Sequence, residues 1–497
     1  MNLTSLTIIP FWILCSCSTE PLYNARELEV INGSFEATGG SVTDWDQVEG
    51  WQGRTGGIRD DGFYSPVDGS CYAYQQGNGT WITQETAHLI QEGKTYTLTM
   101  WTRSVNRPGN GARTTLQAGF FREGKEIATA GKDVNAPRLQ GAAADTPNDD
   151  GANVWIDGAY RHQFNEVHMY QPLTSDPIED PWLVVENSGY DRISDELGWA
   201  VGNVIAGDHK YIYGTIYLDQ PPWYSSLTMT RVTSEDQPNY QWSDPELVLD
   251  HSGSEFPWVL DAHGYYDDST GRLWMSWGGG ICYVSEMDPE TGMLMGNPAS
   301  KEFDDHPKGM HTPVATWPET RPGWNGDQWS YAWNEGPALY KNNRYWYFLA
   351  SYGHLGLNYT IRMGRGTNPA GPFYDKHGTS LMEFDEERNT YGNALLMGAE
   401  GEQLVPGHPH IWEENGFYYL GYDFRKDLGE EIDYMGIRRL YWVDDWPTVW
   451  MPVEVSFSSD DHPEVIGKPL SIGFRNIGET DSELAVDHIT VGISKHQ

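Results

Sequence analysis

Basic residues are scarce in this chain: 32 Lys and Arg stand against 71 Asp and Glu, a formal net charge of −39. A polyphosphate partner requires a basic stripe and none is visible, which argues against nucleic acid and against an acidic membrane surface. Cysteine is scarce as well. Beyond Cys15 and Cys17 only Cys71 and Cys282 remain, far apart and outside any C-x-x-C pair. That leaves no zinc or redox signature and room for one disulfide at most. Past the first residues no apolar run approaches the 18 or so residues of a membrane span. Helical periodicity is almost missing too.

What is abundant points elsewhere. The 497 residues include 55 Gly and 29 Pro, with 22 Trp and 29 Tyr. The aromatics exclude disorder, while so much Gly and Pro favours many short strands joined by tight turns. At about 150 residues per domain, two or three domains are expected. Flat aromatic rings also stack on sugar faces, although ordinary core packing accounts equally well for their number.

The first 18 residues, MNLTSLTIIPFWILCSCS, carry an apolar run from Leu6 to Leu14 that suits a signal-peptide core, though without a basic start before Arg26. Leu14-Cys15-Ser16-Cys17 resembles a bacterial lipobox. Cys17 is then either a lipid-tethered mature N-terminus or part of a plain leader that is cleaved off.

From about Glu27 period-two strands recur (ELEVINGSFEA, KTYTLTMWTRSV, TTLQAGFFREGKEIATA), the pattern of an antiparallel sandwich. The small, polar stretch Gln140 to Gly151 reads as a linker. Beyond it, aromatic strands return at HKYIYGTIYL, GRLWMSWGGGICYV, NRYWYFLASYG and GFYYLGYDF. With Lys210, Arg272, Arg344 and Phe417 as marks, the steps are 62, 72 and 73 residues. Steps of that size suit a propeller with four-stranded blades, with one large β-sandwich as the rival. The tail, Trp450 to Val491, holds three more strands ending in L-A-V-D-H-I. I-N-G-S-F-E at Ile31 to Glu36 resembles the first strand of jelly-roll carbohydrate-binding modules, and tails of this kind close such modules. The expected organisation is a leader at 1–18, the first part of a jelly roll at 27–137, a propeller at 138–448 and the closing jelly-roll strands at 449–497. Three consecutive units are the alternative.

Three segments carry candidate chemistry: LDAHGYYDDSTGRLWM with Asp261, EGPALYKNNRYWYFLAS with Glu335, and PGHPHIW with His408 and His410. At these residues, in this order, the chain resembles glycoside hydrolase family 43, particularly its arabinan-degrading members; I-R-M-G-R-G-T-N-P-A-G-P-F resembles a further element of that family. The resemblance covers about residues 170 to 448 and implies a five-bladed β-propeller. It also implies Glu335 as proton donor, Asp261 as the carboxylate that tunes the acid and orients substrate, and His408 near the propeller axis against a metal ion or water. Calcium, a hard cation suited to oxygen ligands, is the expected ion, with no organic cofactor. The family's general base, an aspartate in a D-P dipeptide shortly before the first aromatic strand, is not at its usual offset. Asp180, in E-D-P-W, keeps the dipeptide but lies far upstream; Asp191 and then Asp195 are nearer but lack the proline. Asp180 ranks first and Asp191 next.

Hydrolysing a glycosidic bond with inversion needs an acid at the leaving oxygen and a carboxylate activating water on the opposite face, about 6.5–9.5 Å apart. An ionised Asp261 near Glu335 would favour the acid form of Glu335. Trp258, Trp277 and Trp333 flank these acids and are candidates for stacking on sugar rings, or are blade-core residues. Trp45, Trp51 and Trp81 face the same two fates in the sandwich. The expectation is therefore an all-β chain, a five-bladed propeller with a β-sandwich, and a monomeric, secreted or surface-tethered hydrolase of plant or algal wall polysaccharide, first of all 1,5-α-L-arabinan. The alternatives are an exo-acting arabinofuranosidase, xylosidase or galactan hydrolase on the same scaffold, and a non-catalytic glycan-binding lipoprotein.

Overall fold

The computed structural model describes residues 26–60, 64–67, 69–122, 124–134, 154–156, 159–161, 202–207, 209–217, 225–232, 246–251, 258–317, 333–414, 416–428 and 434–495. The leader with Cys17, the stretch Gln140 to Gly151, and Asp180, Asp191 and Asp195 lie outside the described residues.

In the middle of the chain four successive antiparallel sheets have four strands each. The first runs through Gly202–Ala206, His209–Tyr217, Ser225–Val232 and Glu246–Asp250; the second through His263–Asp267, Arg272–Trp277, Ile281–Met287 and His311–Thr316. The third is built from Asn334–Asn342, Tyr345–Tyr352, Thr360–Gly366 and Ala394–Met397, the fourth from Leu404–Glu414, Phe417–Arg425, Tyr434–Val443 and Trp446–Thr448. The opening strand of each sheet touches the opening strand of the next, so the sheets stand as blades with their first strands innermost. The sequence marks Lys210, Arg272, Arg344 and Phe417 all fall at or next to the start of a second strand. Residues 162–201, where a fifth blade would need room, are not among those described.

Blades hold together through aromatic layers. Trp274, Trp346, Phe348 and Phe373 share one cluster between the second and third blades; Tyr340, Tyr347, Leu420 and Tyr422 share another between the third and fourth. Buried rings at alternate strand positions are what the period-two aromatic runs provide.

The two ends of the chain build one sandwich. One sheet pairs Gly57–Arg59, Tyr72–Gln76, Glu483–Lys495, Lys94–Ser104 and Met451–Ser458 in that order, with Arg26–Leu28 also on Glu483–Lys495; the other runs Ile82–Leu89, Pro469–Asn476, Thr115–Arg122, Lys125–Asp133. Tail strands sit in the interior of both sheets. Along Lys94–Ser104, Tyr96, Leu98 and Met100 point into the shared core with Phe120, Phe457, Ile472 and Phe474. Trp45 and Trp51 are buried in that core too. Neither can be a glycan platform, because each ring packs on Phe474 and Phe35 instead of facing solvent. Trp81 is half-buried, with its ring against Phe121 and under the Arg475 guanidinium.

The other side of the larger sheet faces the propeller. Trp101 meets Tyr441 edge-on at 5.9 Å between ring centres. Beside it lies an ion triad: Arg103 Nη2 and Arg438 Nη1 reach the same Glu400 oxygen at 2.6 and 2.7 Å, every side chain at most 3% exposed. Burial alone would raise the Glu400 pKa, but the two guanidiniums outweigh it and the net shift is downward.

In the second blade a hydrogen-bond chain runs from the core to a loop. The Ser300 carbonyl can only accept, so His306 donates to it from Nε2 (2.9 Å); His306 Nδ1 and His311 Nε2 share the next hydrogen bond (2.7 Å), His311 Nδ1 and Ser285 Oγ another (2.7 Å), and Trp277 Nε1 donates to Ser285 Oγ (2.9 Å). Burial, and then the neighbouring His306, push His311 down to about 4.

Two outcomes are expected. Glu400→Gln strands two buried guanidiniums and should cost about 3–5 kcal/mol in urea unfolding, whereas Arg103→Met leaves the Arg438–Glu400 pair intact and should cost clearly less. Because His311 stays neutral in the folded state while the unfolded chain takes up a proton below its ordinary 6.5, stability should fall by up to roughly 3 kcal/mol as pH drops from about 6.5 to about 4. His311→Gln should flatten that limb of the stability profile and leave it unchanged above pH 7.

Candidate active site

The three motif segments each contribute to the first, innermost strand of a different blade. Asp261 lies just ahead of the second blade's first strand, buried and at φ +56°. Its Oδ2 accepts the Gly336 amide at 3.0 Å and stands 3.4 Å from His408 Nε2, so one oxygen meets both following blades. His408, at φ +44°, also lies in the left-handed region, as does Val405 at +47°. Such backbone is costly for residues with a Cβ, most of all a β-branched one, and persists where the surroundings over-determine it. The His408 amide donates to Ser351 Oγ at 2.8 Å, and Ser351 pairs across the third blade with Glu335.

Glu335 sits in the third blade's first strand at a bulge between Glu335 and Ala338, a device that re-aims side chains. Both of its oxygens are engaged: Trp333 Nε1 donates to Oε2 at 2.6 Å and the Tyr359 hydroxyl to Oε1. Beneath lies Cys282, a buried thiol pushed well up, first by burial and then by the charges of Asp261 and Glu335. Both carboxylates therefore act on one buried sulfur.

His408 and His410 do different work. His408 has Asp261 on one side and, at 4.0 Å from Nδ1, the buried Asp423 on the other. His410 instead pairs with His263 at 3.1 Å and stacks on Trp412. The Leu339 amide donates to His263 Nδ1, which places the His263 proton on Nε2, and burial followed by His410 holds the His263 pKa well below its usual range. Two carboxylates around one imidazole form an oxygen-rich, negative setting that suits a hard cation held through water at His408. Among the described residues the three ligand atoms that lie within 4.8 Å of one another belong to a different trio, His251, Glu302 and Asp304.

The tryptophans separate. Trp333 is half-buried, its indole N–H committed to Glu335 and its ring laid against Gly279, where a Cβ would come within 2.8 Å. Trp258 is also half-buried and meets Trp333 edge-on at 5.9 Å. Trp277 is a correction to the expectation of a sugar platform. It is fully buried, stacks on Tyr283 at 4.7 Å and bonds to Ser285, so neither face can reach a ligand.

Tyr359 and Asp423 were missed in the sequence. One tyrosine among 29 carries no signal, and Asp423 in G-Y-D-F reads as one acid among 71. Only strand pairing, which sets Asp423 opposite Gly407 of P-G-H, could have drawn attention to it.

An inner-edge cluster of two carboxylates and a histidine on a bladed all-β scaffold defines a candidate glycosidase centre. The sequence model of Glycosyl hydrolases family 43 matches residues 184–447, and the chain belongs to that family. It is 28% identical over 331 residues to the extracellular endo-α-(1→5)-L-arabinanase 2 of Bacillus subtilis, covering 57% of this chain and 64% of the relative. It is 31% identical over 217 residues to the extracellular endo-α-(1→5)-L-arabinanase of Thermotoga petrophila, covering 42% and 36%. The chain thus spans less than two thirds of the length of these relatives. Among solved structures, the α-L-arabinanase of Cellvibrio cellulosa complexed with arabinohexaose is similar at 19% identity and a TM-score of 0.42, over 57% of this chain and 84% of that one.

Replacing Trp277 with Ala should cost about 3–5 kcal/mol of stability through the cavity it leaves. Whatever glycan the wild type binds, the folded variant should bind with the same affinity; a weakened affinity would return Trp277 to the binding surface.

Proposed function

We propose that the protein is a secreted glycoside hydrolase that cleaves 1,5-α-L-arabinan by an inverting acid/base mechanism. The observation that carries this reading is the meeting of Asp261, Glu335 and His408 from three blades in a chain of this family. The endo-arabinanase names of its relatives support arabinan as the substrate and export as the destination.

In this reading Glu335 protonates the leaving glycosidic oxygen. Asp261, held by the Gly336 amide, is the orienting and acid-tuning carboxylate. A base on the opposite sugar face takes a proton from the attacking water. Asp180 is our first candidate for that base and Asp191 the second. Trp258 and Trp333, half-buried beside the acid, are the candidate sugar contacts. Calcium belongs to the proposal: His408, with Asp261 and Asp423 beside it, would hold the ion, which would offset the local negative charge. A tether through Cys17 belongs to it as well, since a polysaccharide hydrolase gains from staying at the cell surface.

The test is product release from linear 1,5-arabinan by the purified chain, with xylan and galactan as comparators. Arabino-oligosaccharides are expected, and Glu335→Gln should lower their rate of release about 10²–10⁴-fold. If no polymer yields product while binding persists, the protein is a glycan-binding one instead.

A further inference from the structure

Two hydrogen bonds to Glu335 come from chemically unequal donors. An indole N–H can only donate, whereas a phenol hydroxyl donates or accepts. Trp333 Nε1 occupies Oε2 at 2.6 Å, and the Tyr359 hydroxyl occupies Oε1. An oxygen that already carries a proton is a poor acceptor, so protonation at Oε2 would set O–H against N–H. Protonation at Oε1 meets no such conflict, because the Tyr359 hydroxyl can swing from donating to accepting.

Tyr359 is well fixed for this task. It is 2% exposed. Its ring lies against Gly407 so closely that a Cβ there would come within 2.8 Å of Cδ1. The preceding loop is closed on itself: the Leu357 and Asn358 amides both donate to the His354 carbonyl at 2.9 Å, and the His354 amide donates to Asn358 Oδ1 at 2.8 Å. The Gly353 amide donates to the Trp333 carbonyl at 2.8 Å, so the loop that delivers Tyr359 is tied to the residue that delivers the other donor.

We infer that Tyr359 is a positioning residue that, with Trp333, sets the Glu335 carboxyl and confines its transferable proton to Oε1. This rests on the reading of Glu335 as the proton donor. In the step itself the bond from the anomeric carbon to the glycosidic oxygen breaks, and the leaving oxygen takes the proton from Oε1. Water adds to the anomeric carbon and gives one proton to the base. Glu335 is left as a carboxylate, to which Tyr359 donates again, until solvent returns the proton.

The distinguishing measurement compares two substrates with the same sugars and different leaving groups, 4-nitrophenyl and methyl α-L-arabinotrioside. Nitrophenolate leaves with little help from an acid, whereas methanol needs the proton. In the full-length chain, Tyr359→Phe should lower kcat on the methyl glycoside about 10²-fold with KM nearly unchanged, since misplacing a reacting group costs about that much. On the nitrophenyl glycoside the loss should be less than about threefold. Trp333→Phe should show the same dependence on the leaving group. Equal losses on both substrates, a change in KM alone, or no loss at all would overturn the inference and leave Tyr359 a packing residue. Glu335→Gln, run alongside, separates the two readings. If that variant keeps its activity on the methyl glycoside, the assignment of the acid fails, and this inference with it. If it is inactive there while Tyr359→Phe behaves as wild type, only the role of Tyr359 fails.

Discussion

One carboxylate oxygen, Asp261 Oδ2, joins three blades: it belongs to the second, accepts an amide of the third at Gly336 and stands beside an imidazole of the fourth at His408. The strand-pairing ladders of a propeller stay within each sheet, so its blades are held to one another by side-chain packing and by single contacts such as this at the inner edge. The left-handed backbone accompanies that constraint: Asp261 turns inward just ahead of a strand, and His408 does so within one, at a register shift. Glu335, beside Gly336, is placed by the same contact, and the Ser351 hydroxyl ties His408 back to the strand opposite Glu335.

The sandwich is joined to this arrangement by more than a linker. Arg103 of the sandwich holds Glu400, which lies eight residues before His408 and shares its second guanidinium with the fourth blade. The turn from Glu400 to Gln403 then leads into the strand that carries P-G-H, and Tyr422, next to Asp423, donates to Gln403 at 2.6 Å. Because described strands before and after the propeller segment share the same two sheets, closing the sandwich also brings the two ends of that segment together. The buried charges at the junction have a high cost if separated, which favours one relative arrangement of the two units.

The aromatic residues illustrate how little residue type says by itself. Trp258, Trp277 and Trp333 each lie beside a motif segment, yet Trp277 is wholly inside a blade while the other two are half-buried near Glu335. Trp45 and Trp51 fill the sandwich core, and Trp81 lies half-buried under Arg475. Strand alternation sends adjacent positions to opposite faces, so a one-residue difference in register decides between core and cleft.

Much was legible in the chain alone. Strand rhythm, the blade spacing and the order of the motifs around Asp261, Glu335 and His408 are local patterns, and local patterns survive in one dimension. The reading of the first and last segments as parts of one sandwich was likewise local, and their strands are neighbours in the same sheets. Tertiary structure alone decided the partners: Gly336 for Asp261 across 75 residues, Tyr359 for Glu335 across 24, Glu400 for Arg103 across 297. These are single hydrogen bonds and ion pairs between common residue types, with no spacing rule to announce them. They exist because folding brings residues of several strands together, and it is there, not along the chain, that the Glu335 carboxylate meets the donors Trp333 and Tyr359.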